Sequence, residues 1–533
     1  MVFKSVISYF KKHKFIFIIS VLTIILTTLL SLVPPQILRI IVDDVLPNKN
    51  NKLLIFAIIY MISFILIGII DFLKSALLII ISEGVNKNIR LNLMLKVNRL
   101  NYITFTKYDS GVIEAYFSND VEEISTLFTS GVVSILIDCL KIIGIIVSIF
   151  IYSYMVGFIT LIIMILIILF TIWIRKKMYN AQRFNKKQEA LVNNMVSESI
   201  DNIKTIKSYR IYDKVEERYG KVLINHFNSN QKANIFDSIY SPVMQMLKSL
   251  VIVIIISLSS INNDIFGMSL GALASSIDLI TNIFKPIESL GKELQTIQKS
   301  FAAVDRINEF AKLEEDEIKD NDSIINENIK LEFIDVSFSY DGVNNVIEHF
   351  NLALENKDTI TLKGVSGAGK STIFKLAYGL IKPNSGSVLI NGVSTYKLSD
   401  EVKRKIFGIV YQDYYFSNDS IKNELTLRDK TISDEKVYQV LDMVGLNRIK
   451  DINKPLKKSD YSDGELSLFN IARAIMFDSK VLFLDEMNAK IDRVTAKKII
   501  DVINKIKKDK LVLSINHYGE LLDNSIVLNV LKN

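Results

Sequence analysis

The first half of the chain is a series of long apolar runs separated by polar connections. Each run is long enough for an α-helix to cross ~30 Å of hydrocarbon at ~1.5 Å per residue. The first run follows several lysines, as the apolar core of a signal peptide would. It is too long for such a core and lacks a small-residue cleavage site, so we interpret it as a retained span. The pattern predicts six membrane spans, at residues 15–34, 53–73, 132–152, 156–175, 242–261 and 269–287.

The second half has a different pattern. From residue 329 onward, short β-rich runs alternate with amphipathic helical segments, which is typical of a soluble α/β domain. The polar segment 312–328, KLEEDEIKDNDSIINEN, separates the two patterns and resembles a linker. We therefore predict an α-helical membrane domain at 1–311, with helices that continue past the bilayer as cytoplasmic extensions, and an α/β domain at 329–533.

Composition supports a membrane protein and gives it an orientation. The chain is 49% hydrophobic, has a net charge of +7, and contains one cysteine, which excludes a disulfide framework. Its mean hydropathy of +0.29 argues against a soluble globular protein and against a disordered chain. Lysines and arginines concentrate before the first span and in the connections 2–3 and 4–5, which the positive-inside rule places in the cytoplasm. We therefore attribute the positive charge to topology and expect no nucleic-acid partner.

A phosphate-binding loop lies early in the α/β domain. The segment Gly364-Val-Ser366-Gly367-Ala368-Gly369-Lys370-Ser371 fits G-x-x-x-x-G-K-[ST]. It follows a strand-like run and opens a helix-like one at Thr372, the setting in which backbone N–H groups and a helix N-terminus face phosphates. We expect Lys370 to reach the terminal phosphates of a nucleotide and Ser371 to ligand Mg²⁺.

Two acids at the end of an apolar run complete this chemistry. In Val481-Leu-Phe-Leu-Asp485-Glu486, a buried strand is predicted to end at the carboxylates. Asp485 suits the Mg²⁺ shell, and Glu486 suits a base that polarises the attacking water. Carboxylates at a strand end can also cap a helix, but their place after the phosphate loop favours nucleotide hydrolysis.

With these motifs the chain resembles the ATP-binding-cassette (ABC) transporter family, in the exporter form with a six-span membrane domain fused to a P-loop ATPase domain of ABC type. The resemblance implies that Tyr340 stacks on adenine, that Gln412 contacts Mg²⁺, and that His517 senses the γ-phosphate. It also implies that the signature loop binds the γ-phosphate held by a second cassette. This loop corresponds to Ser462, Asp463, Gly464 and Glu465.

The signature loop departs from the family pattern. The family reads L-S-G-G-Q, whereas this chain reads Tyr461-Ser-Asp-Gly-Glu465, so Asp463 brings a negative charge towards a phosphate. The loop after Glu486 also deviates, with Asn488-Ala-Lys-Ile-Asp492 in place of S-A-L-D. Two interpretations remain open with about even weight: a heterodimer in which this signature covers a weaker site, and a homodimer that tolerates Asp463.

Charged residues in the predicted spans are candidates for the substrate path, because burying them in hydrocarbon is unfavourable. Asp71 with Lys74 and Asp138 with Lys141 have i, i+3 spacing, which favours structural ion pairs on one helix face. Asp278 has no such partner and is the better candidate for a cavity. Asp278, Asp71 and Asp138 form the predicted substrate path.

The resemblance implies ATP and Mg²⁺ as cofactors, a second half-transporter as partner, and ATP-driven export from the cytoplasm. The substrate could be a peptide, a lipid or an amphipathic small molecule. The short segment before the first span leads us to expect no N-terminal peptidase domain. The Lys-, Ile- and Asn-rich usage favours a bacterial cytoplasmic membrane. A regulatory half that binds ATP with little hydrolysis is the alternative function.

Overall fold

A computed structural model of the chain describes residues 1–47, 52–261, 268–317, 319, 321–322, 328–412, 415–486, 493–516 and 521–531. The chain forms two compact units. The first contains Met1–Asn98 and Asp109–Leu313, and the second contains Arg99–Tyr108 and Glu314–Asn533. The sequence therefore crosses between the units three times, because a ten-residue segment of the membrane half belongs to the second unit.

The first unit is helical throughout its described residues. Short π-helical stretches at Ile41–Val45, Tyr116–Asp120 and Leu127–Gly131 join some of its helices. Its helices are α1 (Val2–Lys12), α2 (Lys14–Leu30), α3 (Val33–Ile40), α4 (Leu53–Arg99, whose last residue belongs to the second unit), α6 (Ser110–Ala115), α7 (Val121–Thr126), α8 (Val132–Tyr152), α9 (Tyr154–Asp201), α10 (Ile203–Tyr209), α11 (Tyr212–Ile261) and α12 (Leu270–Ala311). The intervening helix α5 (Tyr102–Thr106) lies in the second unit.

Five helical segments of the described residues are long and apolar enough to cross a membrane. They are Lys14–Val45, Leu53–Arg99, Ser110–Tyr152, Tyr154–Asp201 and Tyr212–Ser257. The sixth predicted span lies in α12, which is not among the five, since Asp278 and Lys285 interrupt its apolar part. Helices α4, α9 and α11 have 47, 48 and 50 residues, more than twice the ~20 that a bilayer requires.

Three prolines near the ends of predicted spans lie within helices. Pro34 and Pro35 occupy the first turn of α3, where a missing N–H costs nothing, so the helical path continues past residue 34. Pro286 lies inside α12, which continues to Ala311. The start of α12 is held by Asp43, whose carboxylate accepts a hydrogen bond from Gly271 N at 2.7 Å.

The core of the first unit lies where α8, α9, α11 and α12 pack together. Its buried side chains include Ile149, Met244, Ile255, Leu279 and Ile287, each at most 1% exposed. Many large apolar residues of the same helices are more than 40% exposed, as expected for helices that face lipid.

The second unit contains two sheets. The strands of its described residues are β1 (Lys330–Phe338), β2 (Ile347–Glu355), β3 (Thr359–Lys363), β4 (Ser385–Ile390), β5 (Val393–Ser394), β6 (Phe407–Val410), β7 (Val481–Asp485), β8 (Leu511–Ile515) and β9 (Ile526–Asn529). An antiparallel sheet has the order β2-β1-β4-β5, and a parallel sheet has the order β6-β7-β8-β3-β9. The first four residues of β7 are buried, as a central strand covered on both faces requires.

Helices lie between these strands in the described part of the unit. They are α13 (Lys370–Ala377), α14 (Asp400–Ile406), α15 (Ile421–Thr426), α16 (Asp434–Met443), α17 (Asp463–Ile475) and α18 (Arg493–Ile506). Helices α15, α16 and α17 share a second core with one side of the parallel sheet, centred on Phe469 and Leu425. The signature helix α17 and the strand β7 therefore border the same apolar cluster.

Helix α5 packs on the core of the second unit. Asn101 caps it by accepting a hydrogen bond from Thr104 N at 2.7 Å, and Tyr102 and Ile103 contact the sheet core. The flanking backbone pairs with the start of the predicted linker, since Asp316 N donates to Arg99 O at 2.8 Å. This short segment is thus built into the fold of the second unit.

Candidate nucleotide site and charged cavity

The phosphate loop joins β3 to α13, as its sequence predicts. Gly367 and Gly369 have φ values of +81° and +90°, a region that disfavours any side chain. Gly369 is the N-cap of α13, so the N–H groups of the first turn point towards the loop. Ser366 and Gly367 are exposed, whereas Ala368, Gly369 and Thr372 are buried beneath the loop.

Lys370 and Ser371 begin α13 and point in different directions. Lys370 is only 5% exposed, and its ammonium donates to the carbonyls of Gly364 at 2.9 Å and Val365 at 3.0 Å. The loop thus folds around the ammonium and holds a positive charge at its centre. Ser371, one residue on, is exposed at the helix N-terminus.

The carboxyl ends of the parallel strands bring the other predicted groups to the same edge of the sheet. Leu362 of β3 and Asp485 of β7 both align with Ile515 of β8. Gln412 follows β6, and its Nε2 donates to Glu486 Oε2 at 2.7 Å. The phosphate loop, Asp485, Glu486 and Gln412 therefore lie along one edge.

Glu486 is held in an uncommon backbone conformation. Its φ is +43°, which costs a non-glycine residue about 1–3 kcal/mol. Its N–H donates to Ile515 O at 3.1 Å, and its carboxylate accepts the bond from Gln412. The strand end and the glutamine thus fix both the backbone and the side chain of the predicted base.

Tyr340 lies beside the helix that follows the phosphate loop. Its hydroxyl is 3.2 Å from Thr372 Oγ1, and its ring stands edge-on to Phe338 with centroids 4.9 Å apart. The ammonium of Lys375 is 5.9 Å from the centre of the Tyr340 ring and 5.1 Å from that of Tyr102 in α5. One lysine therefore contacts both the predicted adenine platform and helix α5.

The signature residues form the start of α17. Ser462 and Glu465 make a capping box, in which Ser462 Oγ accepts from Glu465 N and Ser462 N donates to Glu465 Oε2. Glu465 also forms an ion pair with Arg448. A Cβ at Gly464 would lie 2.5 Å from Thr495 Cγ2 of α18, so any side chain here would require Thr495 to move. Asp463 is exposed in the first helical turn.

A charged cavity of about 550 Å³ opens in the first unit. It brings together Asp138 and Asp278, two of the three predicted substrate-path residues. The third, Asp71, forms the expected ion pair with Lys74. The charged residues that line the cavity are Lys74, Asp138, Lys141, Asp278, Lys285 and Glu293.

The ion pair expected between Asp138 and Lys141 does not form. Asp138 instead accepts a hydrogen bond from Ser289 of α12, and the described residues include no ion pair within 4 Å between Asp138 and Lys141. The i, i+3 spacing places both residues on one face of α8, but the neighbouring helix supplies a better-placed donor. The ammonium of Lys141 consequently faces the cavity.

Family models match both halves of the chain. The ABC transporter transmembrane region matches residues 17–287, and the ABC transporter model matches residues 347–489. This chain belongs to the ABC transporter family. The exp8 ABC transporter ATP-binding protein of Streptococcus pneumoniae is 23% identical over 97% of this chain and 90% of its own length.

The names of two further relatives of this ABC transporter state what they transport. The ATP-dependent lipid A-core flippase of Wigglesworthia glossinidia brevipalpis is 25% identical over 94% of this chain and 88% of its own length. The lactococcin-A transport/processing ATP-binding protein LcnC of Lactococcus lactis is 23% identical over 96% of this chain and 73% of its own length. The predicted fold class, an α-helical membrane domain followed by an ABC ATPase domain, is confirmed.

The oxygen donors of the transporter's nucleotide site fit a hard divalent cation. A hydroxyl (Ser371), a carboxylate (Asp485) and an amide oxygen (Gln412) border the sheet edge. The Nε2 of Gln412 is engaged by Glu486, which leaves its oxygen as the available donor. No group of three or more acidic, His or Cys side chains forms a metal cage among the described residues. One carboxylate and two neutral oxygens, completed by nucleotide phosphates, match the way proteins bind Mg²⁺.

The switch histidine predicted from the sequence, His517, lies outside the described residues, as does Asp492. Strand β8 ends at Ile515, which aligns with Leu362 and Asp485 at the edge of the sheet. The role of His517 therefore remains a prediction from the sequence.

Sequence reasoning missed a buried ion pair beside the nucleotide site. Arg473 of α17 donates to Glu424 Oε2 at 3.0 Å and to Glu424 O at 2.9 Å, and Glu424 is only 7% exposed. Arg473 also donates to Tyr415 O at 3.1 Å, while Asn470 of the same helix donates to Tyr411 O at 3.0 Å. The signature helix thus holds both flanks of Gln412.

The cause of this omission is that both residues look ordinary in sequence. An acid in a short helix and an arginine in a helix that follows a glycine-containing loop carry no periodic signal. Burial lowers the pKa of Arg473, and the neighbouring Glu424 opposes that shift. The guanidinium also stacks 4.5 Å from the centre of the Phe416 ring, which adds a second contact to the same loop.

We expect Glu424→Ala to destabilise the ATPase unit by about 3–5 kcal/mol, because it leaves Arg473 buried without its charged partner. Asp434→Asn is a matched control, because it breaks the more exposed Lys422–Asp434 pair of the same unit and should change stability by about 0–1 kcal/mol. The unfolding transition of the ATPase unit, followed by calorimetry with and without nucleotide, measures both effects. Equal transitions for the two variants would contradict a structural role for the buried pair.

Proposed function

We propose that this ABC transporter chain is one half of a dimer that hydrolyses ATP to export a substrate across a bacterial cytoplasmic membrane, with its N-terminus and ATPase unit in the cytoplasm. The observation that carries the proposal is the contact between Gln412 and Glu486 at the sheet edge that also holds the phosphate loop. A base fixed beside bound phosphates is the arrangement that hydrolysis requires.

Each residue has a distinct task in this proposal. Tyr340 stacks on the adenine, and Lys370 with the loop N–H groups binds the phosphates. Ser371, Gln412 and Asp485 would hold Mg²⁺, which would supply positive charge beside the phosphates. Glu486 accepts a proton from the attacking water. His517 contacts the γ-phosphate in the sequence-based assignment.

The dimer follows from where the signature lies. Ser462, Gly464 and Glu465 cap a helix that packs in the second core of the ATPase unit, while the phosphate loop caps a different helix. In the family the signature acts on the nucleotide of a second cassette, and this chain supplies one of each part. In a homodimer Asp463 faces both phosphates, and in a heterodimer it faces only the partner's weaker site.

The charged cavity favours a substrate that carries charges of both signs. Three ammonium groups (Lys74, Lys141, Lys285) and three carboxyl groups (Asp138, Asp278, Glu293) line it. A peptide offers both signs at its termini and side chains, which supports a peptide over an uncharged amphipathic drug. The lactococcin exporter relative supports the same choice, and the lipid A-core flippase keeps lipid as the alternative.

The experiment is hydrolysis and transport by the purified chain in inside-out vesicles. ATP-dependent uptake of a labelled peptide, accompanied by faster ATP hydrolysis, is the expected result. Hydrolysis by the chain alone identifies a homodimer, whereas folded protein that binds ATP and hydrolyses none of it points to a partner half-transporter. Uptake that is equal with ATP and without it would reject the transport function.

A regulatory half with little hydrolysis is the second candidate function, and Asp463 is the observation that favours it. Glu486 opposes it, because a base held in a conformation that costs free energy has no purpose in a chain that never hydrolyses ATP. The same vesicle assay separates the two, since a regulatory half would alter a partner's rate without contributing turnover.

A further inference from the structure

A second cavity of the first unit differs from the charged cavity in the residues that line it and in the charge that they carry. It has a volume of about 690 Å³ and lies between α9 and α12. One part of its wall is apolar and is formed by Ile168, Ile172, Ile287, Leu290 and Leu294. A volume of this size is in the range that holds a small molecule or the first part of a lipid.

The remaining wall is polar, and the charged residues described in it are all cations. Arg175, Lys176 and Lys292 line the cavity, and no Asp or Glu is among its described lining residues. This contrasts with the charged cavity, where acids and lysines are present in equal number. The cavity is therefore amphipathic, with an apolar side and a net positive side.

The three cations have different surroundings. Arg175 is anchored, since its guanidinium donates to Glu288 O at 2.9 Å and stacks 4.4 Å from the centre of the Tyr240 ring. Its Nε is buried with no hydrogen-bond partner among the described residues. Lys176 and Lys292 are exposed and form no ion pair within the described part of the chain. The cavity thus offers one fixed cation and two mobile ones.

The position of the cavity along the helices is informative. The predicted spans 156–175 and 269–287 both end within its lining. The apolar residues of α9 therefore lie at hydrocarbon depth, and Arg175 and Lys176 lie at its boundary. Lys292 is five residues beyond the end of the sixth predicted span at 287, about 7.5 Å further into the headgroup layer.

We propose that this cavity binds an anionic phospholipid of the cytoplasmic leaflet, with the headgroup phosphate between Lys176 and Lys292 beside Arg175 and an acyl chain along the apolar wall. Basic pockets between spanning helices on the cytoplasmic side recognise anionic headgroups in this way. The assignment rests on the membrane orientation of the proposed function. It concerns a lipid that stays bound to the transporter, not the exported substrate.

The single tryptophan of the chain provides the readout. Trp173 is 54% exposed and precedes Lys176 by three residues on the same helix, so it lies within one turn of the cavity. The whole protein is reconstituted into vesicles of equal parts phosphatidylglycerol and phosphatidylcholine. In one preparation the phosphatidylglycerol carries brominated acyl chains, and in the other the phosphatidylcholine does. Quenching of the Trp173 fluorescence then reports which lipid lies next to this residue.

We expect brominated phosphatidylglycerol to quench more than its bulk share predicts, with roughly a fivefold preference for each of the two mobile lysines. In the variant Lys176→Gln/Lys292→Gln the excess should disappear. Lys177→Gln is the matched control, because Lys177 is the next residue, contacts the Trp173 ring at 4.3 Å and does not line the cavity. It should keep the excess.

Four results would overturn the assignment. Equal quenching by the two brominated lipids would show that the cavity does not select the anionic lipid. An excess of quenching that survives in the double variant would show that Lys176 and Lys292 do not cause the selectivity. Loss of the excess on adding inorganic phosphate at constant ionic strength would identify soluble phosphate as the ligand. Absence of quenching by either lipid would mean that a second copy of the chain covers the cavity. None of these readouts needs ATP turnover, so a failure of the export function leaves them interpretable.

Discussion

Replacing Glu486 with Gln should lower ATP hydrolysis by at least about 100-fold and leave ATP binding intact. The substitution preserves size, and the amide oxygen can still accept the hydrogen bond that Gln412 Nε2 donates at 2.7 Å. It removes the negative charge that accepts a proton from water. The backbone of residue 486 is held by Ile515, so the variant should fold as the original does.

Phosphate release from vesicles, measured beside the binding of a fluorescent ATP analogue, tests this expectation on the transporter with any chain that co-purifies. Glu401→Gln is a suitable control, because Glu401 is an exposed acid of the same unit that pairs weakly with Lys405 at 3.9 Å, and its loss should change the rate by less than twofold. A Glu486→Gln variant that keeps more than a tenth of the activity would show that another group accepts the proton.

Replacing Asp463 should increase ATP hydrolysis by the isolated chain at least about tenfold. At ~4 Å and an effective dielectric constant of ~20, a carboxylate and a phosphate charge repel each other by about 4 kcal/mol. A tenfold increase in the rate of ATP hydrolysis requires the relief of only about 1.4 kcal/mol of this repulsion. Asp463 also stabilises the start of α17 through the helix dipole by about 0.3–1 kcal/mol. The variants should therefore be slightly less stable while they hydrolyse faster.

Two substitutions separate the causes. Asp463→Asn removes the charge alone, and Asp463→Gly also removes the side chain that keeps the phosphate away. Asp460→Asn, three residues earlier in an exposed turn, controls for a general change of charge. Faster ATP hydrolysis in both Asp463 variants identifies charge repulsion as the cause of slow turnover. Faster hydrolysis in Asp463→Gly alone identifies the size of the side chain as the cause. No rise with either supports the heterodimer, in which this signature does not face the hydrolysed ATP.

The position of the predicted nucleotide-site motifs at one edge of the sheet could be anticipated, because these motifs are local in sequence. The phosphate loop, Asp485 and Glu486 are short motifs at strand ends, and a parallel sheet aligns such ends without further information. The membrane helices were also recognisable, because apolar runs of that length have few other uses. The helix that follows the first predicted span, past Pro34, was harder to recognise, because proline interrupts a helix interior but is compatible with a first turn.

The parts that could not be predicted depend on contacts between distant segments. Arg473 and Glu424 are 49 residues apart, and only the fold makes them a buried pair. Asp138 has Lys141 nearby in sequence but bonds to Ser289, 151 residues away. The cationic cavity likewise needs α9 and α12 side by side before Lys176 and Lys292 can be read as one group.

The lengths of the membrane-unit helices have a mechanical consequence. Helix α4, with 47 residues and no proline, is a rod about 70 Å long, so a tilt of about 5° about one end moves the other by about 6 Å. Helix α9 is equally long and also lacks proline. Helices α11 and α12 carry Pro242 and Pro286 in their interiors, where the ladder of backbone hydrogen bonds is interrupted. The unit therefore combines two straight helices that can transmit a tilt along their whole length with two helices that can each bend at a proline.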